Sequence, residues 1–190
     1  MLTREQFIKA NYQQALNATR GTGIFPETLL AMAVVESQGK AADGNWYPGL
    51  GLVARKANNF FGIKASANWK GETISLPTPG DADKISVFRM YDSFEDSLKD
   101  FVNFLKVNPR YTKAGVFNSQ DYPTQIVNIA RAGYAENPNY SNIITSVANR
   151  VNKLMKDYIE PIQKNNKILP LLAAALIITG YFIVKKIQTA

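Results

Sequence analysis

Between Leu29 and Val35 the chain has no polar residue: Leu-Leu-Ala-Met-Ala-Val-Val. Pro26 and Glu27 precede the run. Proline suits a helix's first turn and an acidic residue its positive end. Glu36, Ser37 and Gly39 follow as a stop. The spacing predicts a helix from Pro26 to about Gln38 that is apolar on most sides, and such a helix must be buried. The rest of the fold has to wrap around it. With 190 residues, 46% of them hydrophobic, the chain is long and apolar enough for one core domain plus an appendage.

Other elements follow from local patterns. Thr3 and Gln6 form a capping-box signature ahead of Phe7, Ile8, Tyr12, Ala15 and Leu16. Residues 39–58, rich in Gly, Asp, Asn and Pro, read as a loop. Glu72–Leu76 and Lys84–Phe88 read as a small hairpin, with Pro77, Pro79 and Gly80 between them. Ser93 with Asp96 starts a further helix, Asp121 starts one ending at Gly133, and a long helix covers about Pro138 to Ile159.

The chain has no cysteine and no histidine. Disulfides, thiol nucleophiles, a Ser-His-Asp triad and Cys- or His-based metal sites are therefore excluded. Acid–base chemistry falls to carboxylates, lysine or tyrosine. Glu36 stands out. It shares a helix face with Met32 and Leu29, where desolvation raises a carboxyl pKa, and the negative end of the helix acts the same way. A carboxyl kept protonated is what a general acid requires. The alternative is a glutamate that closes the apolar helix at the surface.

Several stretches around Glu36 resemble glycoside hydrolase family 73, the bacterial autolysin, flagellar and phage N-acetylglucosaminidases. They are Ala33-Val34-Val35-Glu36-Ser37, Asn58-Asn59-Phe60-Phe61-Gly62-Ile63-Lys64, Trp69-Lys70-Gly71, Phe88-Arg89-Met90-Tyr91-Asp92-Ser93, Asn108-Pro109-Arg110-Tyr111 and Ala132-Gly133-Tyr134-Ala135 with Pro138 and Tyr140. They cover residues 20–150 in order. The resemblance implies an α+β, mainly helical lysozyme-like fold with a small β-hairpin lobe. It implies a peptidoglycan glycan strand as substrate, cut after N-acetylglucosamine, with no cofactor and no metal. Glu36 matches the catalytic acid. Tyr134 matches a tyrosine that supports catalysis, or is a packing residue at a helix end. Asn59, Phe60 and Gly62 match a substrate-binding stretch, with Phe60 in place of Leu, or form a structural turn. Trp69 stacks on a sugar or packs between lobes. Many relatives carry a second carboxylate in the hairpin. This chain has no Glu there, and Asp81 is the nearest match, with Asp83 and Glu72 behind it. Without a second carboxylate, the same Glu36 suits a lytic transglycosylase. An inactive wall-binding structural membrane protein is a third reading.

The tail carries a separate expectation. Ile168–Val184 holds no charge and, as a helix, spans about 25 Å. Lys164 and Lys167 precede it and Lys185 and Lys186 follow. It reads as a transmembrane helix, the alternative being a core helix. The expected organisation is a catalytic domain over 1–160, a polar linker over 161–167, the membrane helix over 168–184 and a short basic tail over 185–190. Most of the net charge of +7 falls after residue 140, which points to a lipid membrane as partner and away from nucleic acid. No secretory signal is recognisable at the N-terminus. Anchoring in the virion membrane of a bacteriophage, among other virion proteins, reconciles an anchor with access to a cell wall. A bacterial envelope enzyme is the alternative.

Overall fold

The buried helix predicted around Leu29 is the centre of the structure. The computed structural model describes residues 1–165. Helix α1 covers Arg4–Thr19 and α2 covers Pro26–Glu36. In α2 every residue from Thr28 to Val34 is buried. Helices α1, α4 (Phe94–Val107) and α6 (Tyr122–Arg131) all pack against it. A helix surrounded in this way has no room for a polar face, which explains its composition. Each surrounding helix turns one apolar stripe inward: Phe7, Ile8 and Ala15 from α1, Leu98, Phe101 and Leu105 from α4, and Ile126 and Ile129 from α6.

Caps set where these helices begin. Thr3 accepts from the Gln6 backbone while Gln6 accepts from the Thr3 backbone, a reciprocal capping box. Ser93 and Asp121 accept from the backbone N–H groups of Asp96 and Thr124. Between α4 and α6 the chain makes a short helix α5 (Pro109–Lys113) and a 3₁₀ turn at Val116–Asn118.

The end of α2 is held by the segment after it. Ser37 donates its hydroxyl to Ala33 O and accepts from Gly49 N at 2.9 Å, and Gly51 N donates to Ser37 O at 2.8 Å. A Cβ at Gly39 would lie 2.6 Å from the Leu50 carbonyl carbon, so the return of the chain needs glycine there. The stretch expected as a loop contains a two-stranded ribbon, β1 (Gly39–Lys40) with β2 (Trp46–Tyr47), and helix α3 (Leu52–Ala57). The expected hairpin is present as antiparallel β3 (Thr73–Thr78) and β4 (Asp81–Arg89), with Ile74 opposite Phe88. Phe88 faces the core, while Ile85 and Val87 are exposed. Arg89 and Tyr91 both bond the Asp100 carboxylate on α4, at 2.8 and 2.6 Å, fastening the hairpin to the helices.

The fold is thus α+β and mainly helical, with two small sheets in place of one hairpin lobe. The expected fold class needs correction at the C-terminus. Helix α7 covers Tyr140–Asn165 and runs through Pro161. It carries Arg150, Lys153, Lys156 and Asp157, more charge than a bilayer interior accepts. No helix among the described residues is long and apolar enough to cross a membrane. The expected span at residues 168–184 lies outside the described residues. The chain divides into two units, Met1–Val151 and Asn152–Ala190, and all that follows concerns the first.

Gln125 of α6 is fully buried and joins three backbone groups. It accepts from Phe25 N at 2.9 Å and donates to Gly23 O at 2.7 Å and Val116 O at 2.9 Å. Gln125→Leu removes these bonds and leaves the buried Val116 carbonyl and the half-buried Phe25 N–H without partners, while the exposed Gly23 carbonyl can turn to water, a cost of about 2–4 kcal/mol. Denaturant unfolding should show that loss of stability; a change below about 0.5 kcal/mol would mean that water or backbone shifts replace the side chain.

Candidate active site

Glu36 is the last residue of α2, and residue 140 opens α7. The two meet through a hydrogen bond of 2.8 Å, in which the Tyr140 hydroxyl donates to Glu36 Oε1. The Glu36 side chain reaches solvent, yet protein atoms crowd it on enough sides to desolvate it. Burial raises its carboxyl above the ordinary carboxylate range, and the Tyr140 bond works in the opposite direction, favouring the charged form. Burial is the larger influence.

Tyr134 extends this cluster. Its ring lies 5.6 Å from that of Tyr140 and meets Phe101 edge-on at 5.7 Å; Phe101 in turn stacks on Phe61 at 3.9 Å. The left-handed turn at Gly133 presents the ring, and Arg110 Nη1 donates to the Gly133 carbonyl at 3.2 Å. Burial, then the negative charge of Glu36, holds the Tyr134 hydroxyl well above its usual pKa. Burial, the neighbouring Tyr134 and Glu36 do the same for Tyr140. Both phenols therefore stay protonated and serve as hydrogen-bond donors.

Beside Tyr134 lies a cavity of about 270 Å³, lined by Phe61, Ile63, Lys64, Phe104, Arg110 and Tyr134. Arg110 Nη2 donates to the Tyr111 hydroxyl at 2.7 Å, and its guanidinium sits 4.8 Å above the Tyr111 ring. Among the described residues no group of three or more His, Cys, Asp or Glu could hold a metal ion.

The other residues singled out in the sequence lie in different surroundings. Asn59 is buried. Its amide donates to Ile63 O and Arg89 O, each at 2.9 Å, and accepts from Ile63 N at 3.0 Å. It clamps its own loop to β4. Phe60 packs on Phe7 and Phe94, with ring centroids 5.9 and 4.5 Å away. Gly62 adopts φ 62°, with no atom within 4 Å of where a Cβ would stand. Its requirement is conformational. Trp69 donates to Glu72 O at 3.0 Å, has the Arg89 guanidinium 4.5 Å over its ring, and lies where a Cβ on Gly71 would clash at 2.5 Å. Asp81 is exposed at the start of β4, as are Asp83 and Glu72 on the same hairpin. Tyr140 and Arg110, absent from the expected site residues, belong to the cluster. Their signal was their place within the Asn108–Tyr111 and Ala132–Tyr140 motifs.

A family model described as mannosyl-glycoprotein endo-beta-N-acetylglucosaminidase matches residues 12–153. The "Peptidoglycan hydrolase FlgJ" of Vibrio parahaemolyticus is 32% identical over 79% of this chain and 48% of its own length. The "Exo-glucosaminidase LytG" of Bacillus subtilis is 28% identical over 75% of this chain and 49% of its own. The chain spans about half the length of these curated relatives. Among solved structures, the glycoside hydrolase domain of Salmonella typhimurium FlgJ superposes with a TM-score of 0.66 at 28% identity, covering 88% of this chain and 100% of that domain.

The expected localisation is corrected here. The matched relatives are bacterial hydrolases, and no helix among the described residues is long and apolar enough to cross a membrane. The placement in a bacteriophage virion membrane has no support from either.

Glu36 has a consequence for stability. Its folded pKa is raised, so whatever stability it contributes is present below its unfolded pKa and lost as pH rises through the folded value. Glutamine is neutral throughout and keeps an oxygen for Tyr140. Glu36→Gln should therefore melt above the wild type at about pH 8, with the difference vanishing near pH 3.5. Equal melting temperatures at both pH values would mean the carboxylate is well solvated.

Proposed function

The chain belongs to the glucosaminidase family, glycoside hydrolase family 73, and from that we propose that it cuts the glycan strand of peptidoglycan after N-acetylglucosamine, with Glu36 as general acid. The observation that carries this is the Glu36 carboxyl: raised by burial, open to solvent at a helix end, and bonded by Tyr140. Protonated Glu36 delivers its proton to the glycosidic oxygen as the C1–O bond breaks. The carboxylate left behind keeps the Tyr140 hydrogen bond, which favours its charged form, and positive charge develops on the sugar ring. Tyr134, neutral and adjacent, supplies a donor toward the bound sugar.

The second half of the reaction needs a group that activates water or captures the sugar cation. Asp81 is the hairpin carboxylate matched by the family pattern. It is exposed, as are Asp83 and Glu72, and no hydrogen bond joins any of them to the Glu36 cluster. That observation supports a second reading, in which the substrate supplies its own nucleophile. An N-acetyl oxygen leads to a hydrolysed product. The 6-hydroxyl of a muramoyl unit leads to an anhydro-sugar, as in a lytic transglycosylase. Mass spectrometry of digested peptidoglycan separates the products: new reducing N-acetylglucosamine ends support the glucosaminidase, with or without N-acetyl assistance, and anhydromuramoyl ends support the transglycosylase.

Glu36→Gln should lower turnover on purified peptidoglycan by about 10²–10⁴-fold while the fold is kept. A folded variant with full activity would remove Glu36 from the mechanism. Tyr140→Phe deletes the hydrogen bond that favours the charged carboxylate, so the Glu36 pKa rises further. The alkaline limb of the kcat/KM profile should then move to higher pH. A limb that stays in place, or moves down, would sever Tyr140 from the acid.

A further inference from the structure

The cavity beside Tyr134 has walls of two kinds. Phe61, Ile63 and Phe104 are apolar, while Lys64 and Arg110 bring positive charge. Neither cation is paired with a carboxylate among the described residues. Arg110 is nevertheless held in place, by the Tyr111 hydroxyl, the Tyr111 ring face and the Gly133 carbonyl. All three partners are neutral and use only part of its five N–H donors. An arginine fixed before a ligand arrives loses little freedom on binding. The Lys64 backbone pairs with Phe88 of β4, which fixes its part of the wall. Tyr134 is shared between this cavity and the cluster that ends at Glu36. The cavity therefore lies beside the Glu36 cluster.

An amino sugar without an acid has no use for two cations. Peptidoglycan differs from uncharged N-acetylglucosamine polymers in that every second sugar carries a lactyl ether, free as a carboxylate or extended by an acidic stem peptide. We propose that this cavity is a carboxylate-recognising subsite for the muramoyl residue next to the cleaved bond, with Arg110 and Lys64 binding the acid and Phe61 and Phe104 packing on its hydrocarbon. The subsite rests on the glucosaminidase reading and sharpens it. It makes the enzyme select peptidoglycan over neutral glycans of the same linkage.

The test is a titration in which no bond is broken. Glu36→Gln protein is titrated by NMR with N-acetylglucosamine, with N-acetylmuramic acid and with its L-alanyl-D-isoglutamine conjugate. The same titrations follow after adding Lys64→Gln or Arg110→Gln. At least one acidic ligand should bind about tenfold more tightly than N-acetylglucosamine, and each added substitution should remove that preference. Tighter binding of N-acetylmuramic acid identifies the lactyl carboxylate; tighter binding of the conjugate identifies the stem peptide. Equal affinity for all three ligands, or a preference that survives both substitutions, overturns the subsite. Arg110 also supports Tyr111 and Gly133, so where its variant fails to fold, Lys64→Gln decides, because that side chain makes no hydrogen bond to the described residues. Failure of the glucosaminidase reading would show elsewhere, as wild-type protein that releases no product from peptidoglycan.

Discussion

The complete burial of α2 is the constraint on which this structure depends. A helix with no polar face can exist only inside a shell of other helices, and α1, α4 and α6 supply one. The burial also dictates what happens at the helix end. The chain must leave the core there, and Glu36 is the first polar side chain to emerge. It emerges beside the core, reaching solvent but crowded by enough protein atoms to be partly desolvated. The Ser37 hydroxyl and the glycines at 39, 49 and 51 then bring the chain back against the helix end, so the backbone that carries Glu36 is held in place. The acid is thus a product of packing more than of any dedicated partner.

Two opposing influences meet at that carboxyl. Desolvation favours the proton and the Tyr140 hydroxyl favours its loss. A group dominated entirely by burial would hold its proton too firmly to give it away. One dominated by hydrogen bonds would have no proton to give near neutral pH. The single phenol bond moderates the first without reversing it. The phenol keeps its own proton chiefly because it is buried, with Tyr134 and Glu36 beside it acting the same way.

Much of the scaffold was readable from local chemistry. The capping box at Thr3 and the caps at Ser93 and Asp121 lie within three residues of their partners, so the sequence displays both halves of each bond. The hairpin was readable from its β-prone runs and its Pro-Gly turn. The β1–β2 ribbon and α3 were not, because they are two to six residues long and depend on glycines approaching residues about twelve positions away. The site was less legible. Glu36 stood out because its surroundings lie along one helix. Asn59 reads in sequence either as a sugar ligand or as a structural turn, and its amide bonds Ile63 and Arg89, the latter thirty residues away in sequence. Phe60 sits in a motif and packs toward Phe7 and Phe94. No pattern in the chain announces that Tyr140 will touch Glu36. The tail was read from hydropathy alone, and its expected span lies outside the described residues.

The bond between Glu36 and Tyr140 joins residues 104 positions apart, and Gln125 reaches 102 positions back to Gly23. Both ties close late in synthesis. A ribosome releases the N-terminal helices long before residue 140 leaves its exit tunnel, at about 5–20 residues per second. During that interval Glu36 has no bond to Tyr140. The nascent chain therefore lacks the moderating phenol bond on its acid until α7 begins to form. Chains cut short before residue 140 would carry the glutamate without the phenol that moderates it.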